Sequence, residues 1–182
     1  MDKKIVFFDI DGTLIDEETH LIPNSTKEAL KNLKANGNLA FINTGRPIFE
    51  ITDYIRSFDF DGYICGCGTY ITYHNQVIYH HQLSQERCRE IASLIKKYEI
   101  DAVLESKDHV YFNTNIKNTF VQKIKERYTN NGFNVSTSEN PNLSFDKFTI
   151  WFDHNIQEFR NNISQDFDII ERSEEMWEIV PK

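Results

Sequence analysis

Residues 5–14 read IVFFDIDGTL, and this stretch most constrains what the chain can fold into. An almost wholly apolar run, KIVFF at residues 4–8, leads straight into two aspartates one residue apart, then Gly-Thr. Such a run suits a strand covered on both faces, as in a parallel sheet. In an open α/β sheet, ligands bind beyond the carboxyl ends of the strands, which is where Asp9 and Asp11 fall. At i and i+2 both carboxylates can face one small volume if the chain stays extended. They repel there unless a cation lies between them or one holds a proton. A hard divalent ion with oxygen ligands resolves the conflict, and Mg²⁺, held by few carboxylates plus a substrate phosphate, fits. An aspartate can also act as a nucleophile that forms an aspartyl-phosphate, with the second serving as acid and base. Gly12 allows a tight turn, and Thr13 offers a hydroxyl and an N–H. Taken alone, the pair reads equally as an Asp-Gly turn with Asp9 capping a helix.

A second signal tips the balance. After the first strand, Ser25 and Glu28 form an S-x-x-E capping box, with Ala29, Leu30 and Leu33 on one helical face and Gly37 at the helix end. LAFI (39–42) is a second buried strand. It runs into FINTGRP (41–47), so Thr44, Gly45 and Arg46 lie at the same end of the sheet as the aspartates. Pro47 is placed to open a helix carrying Ile48, Ile51, Tyr54 and Ile55. A hydroxyl and N–H groups just before a helix make a phosphate seat, and Arg46 adds a charge for phosphate or an aspartate. An N-cap threonine and a structural arginine are the plainer alternative, but two such motifs, each directly after a buried strand, favour function. GYIC (62–65) is the third strand, completing a βαβ rhythm.

Beyond residue 68 the pattern changes. TYITYHNQVIYHH alternates around His74-Asn75, predicting a hairpin. A helix is expected at 84–98, with Cys88, Ile91, Leu94, Ile95 and Tyr98 inward, then strands at 101–105 and 109–113. A helix at 115–130 would turn Ile116, Phe120, Ile124 and Tyr128 inward. A strand at 147–152, a short helix at 155–163 and strands at 167–170 and 176–180 follow. Strand runs with helices to one side indicate an α+β unit.

With 182 residues, 40% of them hydrophobic, the chain can build a real core. A net charge of −8, with no Lys/Arg run, argues against nucleic acid and anionic membrane as partners. No stretch approaches a membrane span, and the N-terminal apolar run is too short for a signal peptide, so a soluble cytoplasmic protein is expected. Three cysteines, Cys65, Cys67 and Cys88, make no disulfide framework. Cys65-x-Cys67 has no second pair to complete a metal site, and His80 and His81 should point to opposite faces of a strand. Trp151 and Trp177 are expected in the core, and Asp16-Glu17-Glu18 in a solvated loop.

The two motifs resemble those of the haloacid dehalogenase (HAD) superfamily of phosphatases. IVFFDIDGTL is similar to its first motif and FINTGR to its second. The large α+β segment after the third strand, and the ending WEIVPK, resemble its Cof-type subgroup, so the resemblance covers essentially the whole chain. It implies an α/β fold: a Rossmann-like core, here partial with three parallel strands, and an inserted α+β cap domain. The implied division is 1–81 for the core, 82–175 for the cap and 176–182 for a return strand toward the core. Asp9 becomes the nucleophile and a Mg²⁺ ligand. Asp11 becomes the general acid/base and gives Mg²⁺ its backbone carbonyl. Thr44 holds the transferring phosphoryl group, with Asp9, Gly12, Thr13, Gly45 and Arg46 completing the phosphate contacts. The implied substrate is a small phosphorylated metabolite such as a sugar phosphate, with a phosphomutase or a non-catalytic binding remnant as alternatives. The family's third-motif lysine and acidic fourth motif have no counterpart here, and Lys182 falls too early to be that lysine. The chain thus resembles a member truncated within the core, with the first strand left as an open edge for association. Cys67, in GCG, stands where the subgroup often has Asn-Gly.

Overall fold

A computed structural model describes residues 3–16 and 18–182. Glu17, in the middle of the acidic run, lies outside the described residues. The chain separates into two compact units, residues 1–80 and 81–182.

The first unit opens with β1 (Ile5–Phe8), followed by α1 (Asn24–Ala35), β2 (Leu39–Asn43), α2 (Asp53–Arg56), β3 (Gly62–Cys65) and a hairpin of β4 (Tyr70–Tyr73) and β5 (Gln76–His80). One five-stranded sheet runs β1-β2-β3-β4-β5, the first three parallel and the last two antiparallel. Its core gathers Ile10, Leu14, Leu30, Ile42, Ile55 and Cys65, with Phe8 and Leu33 packed at its margin. The expectation that β1 is covered on both faces fails: Val6 and Phe8 are partly buried, but Ile5 and Phe7 are 50% and 51% exposed. Ile5 and Phe7 share one face of the strand by alternation, and it is Phe8 on the other face that packs against the core.

Two helix expectations also shift. The Ser25–Glu28 capping box does not form, since Pro23 stands at the N-cap and no side chain caps α1. Ala29 is exposed, while Leu30 and Leu33 turn inward. At the other end Gly37 N–H donates to Lys34 O and Asn38 N–H to Leu33 O, closing the helix as expected of a C-terminal glycine. The helix expected after Pro47 divides into a 3-10 turn (Ile48–Glu50) and the four-residue α2. Thr52, in extended backbone, starts α2 afresh and accepts from Ile55 N–H, while Arg56 donates to the Ile48 and Ile51 carbonyls that the break exposes.

The second unit contains α3 (Gln85–Lys97), β6 (Asp101–Glu105), β7 (Val110–Phe112), α4 (Thr119–Asn130), β8 (Val135–Thr137), β9 (Lys147–Trp151), α5 (Gln157–Ile163), β10 (Phe167–Ser173) and β11 (Met176–Pro181). Its sheet runs β10-β11-β9-β6-β7-β8. Cys88, Ile91 and Ile95 from α3 and Phe159 and Ile163 from α5 cluster with Phe148, Ile150 and Ile179 of the sheet. Helix α4 starts four residues later than expected. The buried Asp101 carboxylate explains this, because it accepts from Asn113 Nδ2 and from the Lys117 and Asn118 amides, holding 113–118 as a loop. The late start turns Val121 inward beside Tyr128 and leaves Phe120 56% exposed. The segment expected to return toward the core, 176–182, instead supplies β11, an inner strand between β10 and β9. Its Trp177 and Ile179 join the core of the second unit. Strand β8, short and only half-buried, had no signal in the sequence.

Among the described residues no helix is long and apolar enough to cross a membrane.

Candidate active site

The parallel register Phe8↔Ile42 makes β1 and β2 end side by side. Asp9 and Asp11 therefore leave the sheet at the same edge as Thr44–Arg46. The backbone after Phe8 coils tightly, with Leu14 N–H donating to Asp9 O and Thr13 N–H to Ile10 O. Gly12, at φ 68°, makes the turn in the left-handed region. Asp9 is exposed, and its Oδ1 accepts from Ile10 N–H at 2.7 Å. Thr13 is exposed beside it, on the flank of an open depression that Asp16, Glu18 and Pro23 help to line.

Arg46 reaches across the two strand ends to Asp11. Its Nε donates to Oδ2 at 2.8 Å and its Nη2 to Oδ1, a bidentate clasp between the two motifs. Thr44 is buried, and its Oγ1 accepts from Arg46 N–H. Gly45 is exposed between them. The phosphate seat differs from expectation in one respect. Only a single 3-10 turn follows Pro47, so no helix N-terminus of useful length backs residues 44–46.

Sequence reasoning missed what fixes this loop. The Gly66–Cys67 turn staples it at both ends: Gly66 N–H donates to Arg46 O at 2.8 Å, and Cys67 N–H to Thr44 O at 3.3 Å. The buried Thr69 pins the turn by donating from Oγ1 to Gly66 O. Gly66, at φ 59°, is left-handed, and a Cβ there would sit 2.4 Å from Thr69 Oγ1. Cys67 shares that conformation at φ 55°. Asparagine tolerates this region better than cysteine, a physical reason for the Asn-Gly that the family resemblance implies here. The two glycines flanking Cys67 were the available signal. Gly66→Ala is expected to cost at least about 1–2 kcal/mol from the left-handed backbone alone. Denaturant melts should register that loss, and a wild-type melt would contradict the role given to this turn.

The thiols differ sharply. Burial pushes Cys65 up to about 12, and burial also raises Cys88, whereas Cys67 is exposed. A mildly alkaline thiol titration should therefore label Cys67 rapidly and the other two only on unfolding. Rapid labelling of all three would contradict this burial.

Among the described residues no three His, Cys, Asp or Glu side chains converge as a metal site. The donor set beyond β1, carboxylate and carbonyl oxygens from Asp9 and Asp11, nevertheless suits Mg²⁺, which takes few protein ligands and keeps its waters.

The fold and the paired motifs define an α/β protein whose two loops meet beyond adjacent parallel strands. The chain belongs to the haloacid dehalogenase-like hydrolase family, which matches residues 6–182. Its architecture is that family's Rossmann-like fold with a cap domain. It is similar to YkrA of Bacillus subtilis (strain 168), a protein provisionally named as a phosphatase, at 34% identity over 91 residues, 50% of this chain. The chain spans 35% of that curated relative's length. Among solved structures it is similar to the HAD subclass IIB sugar phosphatase BT4131, with 28% identity and a TM-score of 0.72 over 100% of this chain and 70% of that one. BT1666 from Bacteroides thetaiotaomicron shares the fold at a TM-score of 0.78 and 21% identity, over 100% of this chain and 67% of that one.

Proposed function

We propose that this chain carries the nucleophilic half of a Mg²⁺-dependent phosphatase for small phosphomonoesters, sugar phosphates first among them. One observation carries the reading: the bidentate Arg46–Asp11 clasp brings the aspartate motif and the Thr44 loop together beyond adjacent parallel strands. The 28% identity to a sugar phosphatase supports the substrate class.

In this reading an oxygen of Asp9 attacks phosphorus, the bond to the ester oxygen breaks, and Asp11 gives that oxygen its proton. Water then attacks the aspartyl-phosphate, Asp11 takes the water's proton, and Asp9 is released with inorganic phosphate. Thr44, with the Thr13 hydroxyl and the amides of Gly12 and Gly45, would hold the equatorial oxygens. Asp9 and the Asp11 carbonyl would hold Mg²⁺, whose charge offsets that of the phosphoryl oxygens. Both Asp11 oxygens are engaged by Arg46, so acid duty requires one of them to be released. An incoming phosphoryl group competes for the same guanidinium and supplies the means. The second unit would act as the cap that selects the non-phosphate part of the substrate.

Phosphate release from sugar and aryl phosphates with Mg²⁺ tests this. Asp11→Asn should slow sugar phosphates by roughly 10²–10⁴-fold, because their leaving oxygen needs a proton. Aryl phosphates, with better leaving groups, should lose much less in the phosphorylation step. Equal losses on both would remove Asp11 from the acid role.

A further inference from the structure

We propose that a pocket beside the C-terminal end of α3 binds a small aliphatic α-amino acid in its zwitterionic form. The inference rests on side chains of the second unit alone and does not depend on the catalytic reading.

β7 and β8 run parallel, and β6 antiparallel to them, so the ends of β7 and β8 lie beside the start of β6. Helix α3 finishes at the same place, since only Tyr98, Glu99 and Ile100 separate it from β6. A cavity of about 250 Å³ opens there. That is short of the ~300–1,000 Å³ of sites for drug-sized ligands, so it suits a small metabolite. Ile95 and Ile100, both buried, and the half-buried Ala92 give it an apolar floor. The opposite wall is preformed. The buried Asp101 carboxylate accepts from Asn113 Nδ2 and the Lys117 amide, and Asn113 Oδ1 accepts in turn from Ala102 N–H. These bonds fix the backbone that carries Thr114, Asn115 and Lys117 into the lining.

The charges specify the ligand. Lys96 and Glu99 lie three residues apart at the end of α3. Lys96 pairs with Glu139 at 3.3 Å and Glu99 with Lys117, and all four side chains line the cavity. The hydrogen bond between Glu99 and Lys117 holds the carboxylate below its usual range and the amine above its own, so both are charged at neutral pH. The four groups sum to zero. An anion such as a sugar phosphate would gain two ammoniums but meet two carboxylates, and a cation would meet the reverse. A zwitterion satisfies both signs, its carboxylate taken by the lysines and its ammonium by the glutamates, while an aliphatic side chain rests on the floor. All four side chains are exposed, and exposed pairs are weak, so trading them for the charges of a ligand costs little. Glu99 carries a second mark. It occupies the position after the helix end where glycine is usual, at φ 51°. A side chain is strained in that left-handed backbone, and the residue that bears the strain is one whose carboxylate lines the cavity.

Isothermal titration calorimetry of the 182-residue chain with L-valine and L-leucine tests the proposal. Saturable binding of at least one is expected. Blocking the ligand's amine as the N-acetyl derivative, or its carboxylate as the amide, should weaken binding by roughly tenfold or more, since each removes a charged hydrogen bond. Glu139→Gln should do the same. Glu99→Gly should also weaken binding, yet melt at or above the wild-type temperature, because glycine relieves the left-handed backbone. A merely structural Glu99–Lys117 pair would instead give a lower melting temperature with binding intact. No saturable binding of either amino acid overturns the proposal. So does equal binding of the blocked derivatives, unchanged binding in Glu99→Gly, or binding of glucose or inorganic phosphate in place of the amino acids.

Discussion

Asp9→Asn is expected to lower phosphate release by on the order of 10⁴-fold or more, leaving the protein folded. The asparagine keeps the shape but cannot form the covalent intermediate, so the route is lost rather than slowed. Stability should hardly change, because Asp9 is exposed and, among the described residues, its side chain bonds only the next amide. The comparison needs a substrate turned over by the wild-type protein with Mg²⁺, and circular dichroism to show equal folding. A variant retaining a tenth of the wild-type rate would rule out Asp9 as nucleophile.

The second large effect lies far from any reacting atom. Lys147 is buried on β9, the strand between β11 and β6. Its ammonium pairs with Glu105 at 2.8 Å and Glu178 at 3.1 Å, and Arg172 also binds Glu178. Removing the lysine leaves two buried carboxylates facing each other without their shared cation. Lys147→Ala is therefore expected to cost about 3–5 kcal/mol, a large part of a typical domain's stability. Replacing Lys147, Glu105 and Glu178 together by Met, Leu and Leu should cost far less, because the carboxylates go with their cation and Arg172, which loses Glu178, is half exposed to solvent. Trp151 and Trp177 lie in β9 and β11, so their fluorescence follows unfolding of this unit directly. A Lys147→Ala midpoint equal to wild type would mean that the network contributes nothing net.

Much of this molecule was legible in its sequence, for identifiable reasons. The parallel strands β2 and β3 announce themselves as short apolar runs, and the hairpin by alternation about His74-Asn75, both of which adopt positive φ. The two motifs were legible because each follows a strand, and register alone then makes their ends neighbours. What failed depended on partners distant in sequence. The start of α4 is set by Asp101, whose carboxylate binds amides 16 and 17 residues later. Strand β11 reads as an apolar strand in any context, and only pairing with β9 and β10 assigns it to the second sheet. The staple from Gly66 and Cys67 could not be seen because it is made by backbone amides. Residue identity marks it only through the need for left-handed backbone. The ion network was hidden likewise, since Lys147 looks like the polar start of an apolar strand until Glu105 and Glu178 flank it.

The central claim is that Asp9 takes the phosphoryl group. The most direct measurement mixes the protein with a turned-over sugar phosphate and Mg²⁺, quenches in acid within the first turnover, and maps modified peptides by mass spectrometry. The account predicts one phosphoryl group on the peptide containing Asp9, lost on hydroxylamine treatment and absent from Asp9→Asn. Turnover with the phosphoryl group on another residue, or with no covalent species at any quench time, would contradict it.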